Sequence, residues 1–212
     1  MDITWYGHSC FLIKDTKGRK LLTDPFDNSL GYPALNESAD VVTISHHHFD
    51  HDYTEDLPGS PMTLDRCGFF NLCDIPISGF PSYHDKDKGA KRGDNVIFVF
   101  KMDDLKICHL GDLGHELYSE DLDRIGNVDI LFIPVGGNLT IDGKEAAQIA
   151  KSINAHMVIP MHYKTSVLSF PLDGVEDFIL YMKSGEKIQD HKINITSLPD
   201  DYNNVKILNY KM

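Results

Sequence analysis

The sequence predicts a mixed α/β domain in which helices pack outside β-sheets. Short apolar, β-branched runs separated by turns dominate the first quarter of the chain, and helical periodicity alternates with further strands later on. The 212 residues are 42% hydrophobic and 25% charged, the proportions of an ordinary globular protein able to bury a sizeable core.

Taken in order, Ile3 to Tyr6, Cys10 to Ile13 and Lys20 to Asp24 read as strands, with Asp15-Thr16-Lys17-Gly18 as a hairpin turn. A polar, proline-containing stretch from Asn28 to Asp40 leads into Val41-Val42-Thr43-Ile44-Ser45, whose unbroken apolar character suits a buried strand. Further strands are expected at Val96 to Lys101, Leu105 to His109, Asp129 to Pro134 and His156 to Pro160. Helices are expected over Glu116 to Ile125, Gly143 to Ile153 and Gly174 to Lys183. In the second helix Ala146, Ala147, Ile149, Ala150 and Ile153 recur at helical spacing, and Asp142 stands where an N-cap belongs. No internal repeat or low-complexity linker divides the chain, so residues 1–212 are expected to form one domain.

Cys10, Cys67, Cys73 and Cys108 form no C-x-x-C pair and suit a reducing compartment. The opening Met1-Asp2-Ile3-Thr4-Trp5 lacks the features of a signal peptide, and no apolar run approaches the ~20 residues of a membrane helix. A soluble, cytoplasmic protein with no membrane partner is expected. A formal charge of −12 argues against a nucleic-acid partner, which would call for a basic stripe.

The strongest chemical signal is His46-His47-His48-Phe49-Asp50-His51, directly after the predicted buried strand at 41–45. In an extended segment His46, His48 and Asp50 share one side by the period-two alternation, and His51 turns away as the chain bends. One short loop can thus present imidazole and carboxylate donors to two neighbouring metals, of which zinc, manganese and iron all accept such ligands. His47 faces away from the others by the same alternation.

With this motif the chain resembles the metallo-β-lactamase superfamily, whose mark is an H-x-H-x-D-H loop followed by spaced His, Asp and His. The resemblance covers essentially the whole chain. It is closest to the branch of small hydrolases that includes L-ascorbate-6-phosphate lactonase. Four further segments occur in that branch's order: Trp5-Tyr6-Gly7-His8-Ser9, Thr23-Asp24-Pro25, His109-Leu110-Gly111-Asp112 and Pro160-Met161-His162-Tyr163. The resemblance implies a four-layer αββα sandwich, with two mixed sheets face to face and the site at one edge among loops that follow strands.

Carried over by position, it implies that His46, His48 and a third histidine hold one metal. Asp50, His51 and His162 would hold a second, and Asp112 would bridge both. His84, in Pro81-Ser82-Tyr83-His84-Asp85, occupies the usual place of the third histidine. His109 is its competitor, or else a hydrogen-bond partner of a ligand. His8 and Asp24 are expected to orient ligands or turns in the same way. Phe49 departs from the small or polar residue common there, and it lines the pocket or packs under the loop. His115, His156 and His191 read as surface or structural residues. Gly136-Gly137-Asn138-Leu139-Thr140 either approaches substrate through its backbone or simply turns.

Two divalent cations, zinc first, are the cofactors this implies, with manganese or iron as alternatives. The expected reaction is hydrolysis of a small ester, lactone or phosphodiester by a hydroxide that the metal pair activates. Asp50 would orient the nucleophile and Asp112 bridge the metals, which makes these two the catalytic carboxylates. Two cations, less their carboxylates and hydroxide, leave about one positive charge, which suits an anionic small-molecule substrate. The alternatives are a non-catalytic metal-binding protein and a di-iron redox protein on the same fold. Nuclease action on long chains is disfavoured by the absent basic face, and glyoxalase II-like thioester hydrolysis by the strand-like tail from Ile193 to Met212. The oligomeric state stays open, and a homo-oligomer would be unsurprising.

Overall fold

A computed structural model describes the chain from Met1 to Met212, and in it two β-sheets stack face to face. The first sheet holds β1 (Asp2–Gly7), β2 (Cys10–Lys14), β3 (Lys20–Thr23), β4 (Val41–Thr43), β5 (Met62–Leu64) and β13 (Lys192–Asn194). Their spatial order is β13-β1-β2-β3-β4-β5. The second holds β6 (Gly68–Leu72), β7 (Ile75–Tyr83), β8 (Asp94–Met102), β9 (Leu105–His109), β10 (Ile130–Pro134), β11 (Met157–Met161), β12 (Glu186–Lys187) and β14 (Asn204–Ile207). There the order is β12-β14-β11-β10-β9-β8-β7-β6.

Alternation along the first strands explains the layering. Ile3, Trp5, Phe11, Ile13, Leu21 and Val41 enter the large core shared with the second sheet. Their neighbours Tyr6, Cys10, Leu12, Leu22 and Val42 face the other way into a separate, smaller cluster. That outer cluster is covered by Phe26, Tyr32, Leu35, Leu57, Leu168 and Leu172, together with Leu30 from a 3-10 turn (Asn28–Leu30). The outer layer on this side is therefore irregular chain and not α-helix, because the polar stretch from 28 to 40 has no apolar face at helical spacing.

The helices belong to the eight-stranded sheet. Its parallel pairs β9–β10 and β10–β11 need crossovers, and these are supplied by α1 (Ser119–Ile125) and α2 (Gly143–Ile153). A third helix, α3 (Glu176–Met182), packs on α2. The boundaries of α2 follow from its caps. Asp142 accepts from the Glu145 N–H at 2.8 Å, Glu145 accepts in return from the Asp142 N–H at 3.2 Å, and Asn154 ends the helix at φ 57°. No helix is long and apolar enough to cross a membrane.

Strand direction then brings the chemistry to one edge. β1 and β3 are both antiparallel to β2, and β4 and β5 continue parallel to β3. In the other sheet β7 and β9 are both antiparallel to β8, and β10 and β11 continue parallel to β9. The segments leaving the C-terminal ends of β1, β3, β4, β7, β9 and β11 carry His8, Asp24, His46 to His51, His84, Asp112 and His162 in turn. Three hydrogen bonds cross between the sheets at this edge: Val96 N–H to Ser45 O at 2.8 Å, His162 N–H to His8 O at 3.2 Å, and His109 Nε2 to Ser9 O at 3.0 Å.

Candidate metal centre

Six loops converge on two neighbouring sets of donor atoms. His46, His48 and His84 form one set; His8, Asp50, His51 and His162 form the other; and His46, His51 and Asp112 make a third grouping between them. Within each, the donor atoms lie within 4.8 Å of one another. The Asp112 carboxylate is the shared element. Its Oδ2 lies 3.1 Å from His84 Nε2 and 3.9 Å from His46 Nε2 on one side. On the other it lies 3.3 Å from His51 Nε2 and 3.0 Å from His162 Nε2.

The donor set fits cations. The Nε2 atoms of His46, His51 and His162, with Asp112 Oδ1, are buried without a hydrogen-bond partner. A buried polar atom left unpaired costs about 1–3 kcal/mol, so this many in one small volume need a ligand that accepts lone pairs. Imidazole and carboxylate donors with no thiolate suit zinc, manganese or iron.

Electrostatics point the same way. Burial alone would raise the Asp112 carboxyl, yet His162 and His51 hold it well below the usual carboxylate range. Burial would likewise lower His51, but the Asp112 and Asp24 carboxylates on either side of its ring draw its pKa well above the usual histidine value. Burial, with His51 beside it, pushes His46 down to about 2, and burial with His162 beside it pushes His8 down to about 4. Both rings are neutral at physiological pH, the state in which a ring nitrogen can donate a lone pair.

A layer of hydrogen bonds behind the donors fixes which nitrogen faces inward. His51 Nδ1 donates to Asp24 Oδ2 at 3.0 Å, leaving Nε2 toward Asp112. Ser45 Oγ donates to the same Asp24 oxygen at 2.7 Å and receives His46 Nδ1 at 2.9 Å, so His46 also presents Nε2. His8 Nε2 bonds Asp50 Oδ2 at 3.1 Å. His8, Asp24 and His162 all hold left-handed backbone, at φ 50°, 39° and 51°. That conformation costs a residue with a Cβ roughly 1–2 kcal/mol and is retained where the surroundings enforce it. Here Trp5 Nε1 donates to His8 O at 3.1 Å, and the His162 N–H bonds that same carbonyl.

The residues proposed from the sequence therefore come together, and His84 stands beside His46 and His48. His109 does not. Its Nε2 meets Ser9 O and its Nδ1 accepts the Gly111 N–H at 3.2 Å, so both ring nitrogens are spent on backbone. His47 points out to Asp52 and Asp65, and Phe49 is 60% exposed.

Three supporting residues went unnoticed in the sequence. Ser45 links Asp24 to His46 as described. Asp85 accepts four backbone N–H groups, from Asp87, Gly89, Lys91 and Arg92, and so shapes the loop after His84. Asn95 accepts the Asp112 N–H at 2.9 Å while its Nδ2 donates to Leu110 O at 2.9 Å and Ser82 Oγ at 2.7 Å. Gly111 makes room for this arrangement, since a Cβ there would sit 2.3 Å from Asn95 Oδ1. Asn95→Ala would leave buried backbone groups unpaired, with an expected loss of about 1–3 kcal/mol per group. Urea unfolding should show that loss; a midpoint equal to wild type would mean that solvent replaces the asparagine.

The sequence profile of the beta-lactamase superfamily domain matches residues 2–162. A metal-dependent hydrolase of the UPF0173 group from Methanoregula boonei is 32% identical over 199 residues, covering 78% of this chain and 83% of the relative. A UPF0173 protein of Pyrococcus abyssi is 32% identical over 187 residues, covering 78% of this chain and 84% of its own. Among solved structures, a metallo-beta-lactamase superfamily protein from Thermotoga maritima aligns over 99% of both chains with 38% identity and a TM-score of 0.85.

Proposed function

The chain belongs to the metallo-β-lactamase superfamily, and from that membership we propose that it is a metal-dependent hydrolase of small molecules working with two divalent cations. The observation that carries this reading is Asp112 Oδ2, set between a three-histidine cluster and a cluster of Asp50, His51 and His162. In this assignment His46, His48 and His84 hold one cation, Asp50, His51 and His162 hold the other, and Asp112 serves both. Zinc leads as the metal, with manganese or iron as alternatives. Two such cations would supply a hydroxide nucleophile at neutral pH and would stabilise the negative charge that develops on the scissile carbonyl or phosphoryl oxygen.

The chain's own residues do the orienting. Asp50 is fixed through Oδ2 by His8, which leaves its other oxygen, free of hydrogen bonds within the chain, to accept a hydrogen bond from the nucleophile and orient it. Asp24 and Ser45 keep His51 and His46 in the tautomers that face the site. An ester, lactone or phosphodiester suits this chemistry. All four cysteines are free, which supports a cytoplasmic setting, and the single large core drawing on both sheets supports residues 1–212 acting as one domain.

Metal content is the test, by elemental analysis of protein purified without chelators. About two divalent ions per chain are expected, with less bound by His84→Ala and no change in His109→Ala. Loss in His109→Ala with full content in His84→Ala would overturn the ligand assignment. Full metal content without turnover of any ester, lactone or phosphodiester would favour a metal-binding protein over an enzyme.

A further inference from the structure

A cavity of about 660 Å³ opens beside the metal centre and shares His46 and His48 with it. Its far side is formed by the chain after β5 and the turn before β8, which place Arg66 and Arg92 in its wall. The chain has only four arginines, and the other two, Arg19 and Arg124, are each paired with a carboxylate. Arg66 and Arg92 make no ion pair and no side-chain hydrogen bond; Arg66 rests its guanidinium 5.4 Å above the Phe70 ring. Both stand on anchored backbone. Asp85 holds the Arg92 N–H at 2.7 Å, and Gly79 passes so close that a Cβ there would lie 2.6 Å from Arg66 O.

Both guanidiniums are solvent-exposed and neither is neutralised by a carboxylate of the chain, so in a protein of net charge −12 this wall keeps two cationic groups free to meet an anion. Asp65 and Asp94 also line the cavity, but neither lies within ion-pair distance of a guanidinium, and Asp65 is met by His47 Nε2 at 3.4 Å. A guanidinium offers a planar fork of donors that matches the oxygens of a phosphate or carboxylate, and stacking on an aromatic face holds that fork in place without occupying its edge. The cavity volume lies in the range of small-molecule sites. We propose that the cavity between Arg66 and Arg92 binds an anionic group of the substrate, a phosphate or a carboxylate, while the reacting bond lies at the His46–His48 side of the metal centre. The placement of the reacting bond rests on the hydrolase reading above; the anion site does not.

The test is calorimetric titration of metal-loaded protein with inorganic phosphate and, separately, with succinate. Wild type, Arg66→Gln, Arg92→Gln and the double variant are compared, with His84→Ala as a metal-side control and metal content measured on every sample. Each single arginine variant should weaken binding about 10-fold and the double variant about 100-fold, with metal content unchanged. The tighter of the two anions assigns the group as phosphoryl or carboxyl. Equal affinity in wild type and the double variant would overturn the proposal, as would the absence of saturable binding to wild type. Affinity lost only in His84→Ala would also overturn it, by placing the anion on the metals alone. A protein that takes up no metal even when offered zinc, manganese or ferrous iron, yet binds anions through the arginines, would sink the hydrolase and keep the anion site.

Discussion

Asp112→Ala should lower turnover by ~10³-fold or more, the scale felt when a group acting directly at the reacting atoms is removed. It should also reduce metal bound in both halves of the site, because one oxygen of Asp112 approaches His84 and His46 on one side and His51 and His162 on the other. No neighbour can substitute. Asp50 Oδ2 is engaged by His8 and lies 3.7 Å from His51 Nε2, and Asp24 is committed to His51 Nδ1 and Ser45 from behind. Asp112→Asn separates charge from shape. It keeps the side-chain volume and the Asp112 N–H bond to Asn95 but removes the negative charge that His51 and His162 face, so it should behave much like the alanine variant. Turnover is followed on whichever ester, lactone or phosphodiester wild type cleaves, with metal content and circular dichroism measured in parallel. Wild-type turnover and metal content in a folded Asp112→Ala protein would remove Asp112 from the centre.

Most of the donor set was legible because its residues follow strands that the sequence announces. His46 to His51 follow Val41-Val42-Thr43 after only Ile44 and Ser45, and His162 comes directly after Met157 to Met161. The choice between His84 and His109 was not legible from spacing, and the reason is physical. His109 is still inside β9, paired with Phe98 and Phe132, so its ring projects into the core between the sheets. The donors sit one or more residues past a strand end, where the backbone is free to turn.

Asn95 and Ser45 were missed because their roles exist only once the two sheets meet. The hairpin of β6 and β7 was missed for local reasons. Its turn residues Cys73 and Asp74 adopt φ 50° and 59° without the Asn-Gly pair that usually signals this turn, and Pro76, Gly79 and Pro81 blur the alternation along β7. The irregular layer over the first sheet likewise carries no periodic pattern, and its apolar residues Phe26, Tyr32 and Leu35 are spaced by where the chain crosses the sheet.

Chelation should lower the thermal unfolding midpoint by roughly 8–16 °C. A ligand present at ~1,000 times its dissociation constant stabilises the native state by about 4 kcal/mol, and a chain of this size moves about 2–4 °C per kcal/mol. The origin of the effect is already visible in the donor set. Without cations the Nε2 atoms of His46, His51 and His162 stay buried and unpaired. His8, Asp24 and His162 hold left-handed backbone in the loops that carry the donors, and cations bound there would offset that strain. Scanning calorimetry before and after chelation, followed by zinc, manganese or ferrous iron, reads the effect and ranks the metals by recovery. In His84→Ala the shift should shrink, since one donor cluster is then incomplete. A midpoint unmoved after the metal has demonstrably left would mean that water satisfies the three ring nitrogens and that the centre contributes nothing to folding.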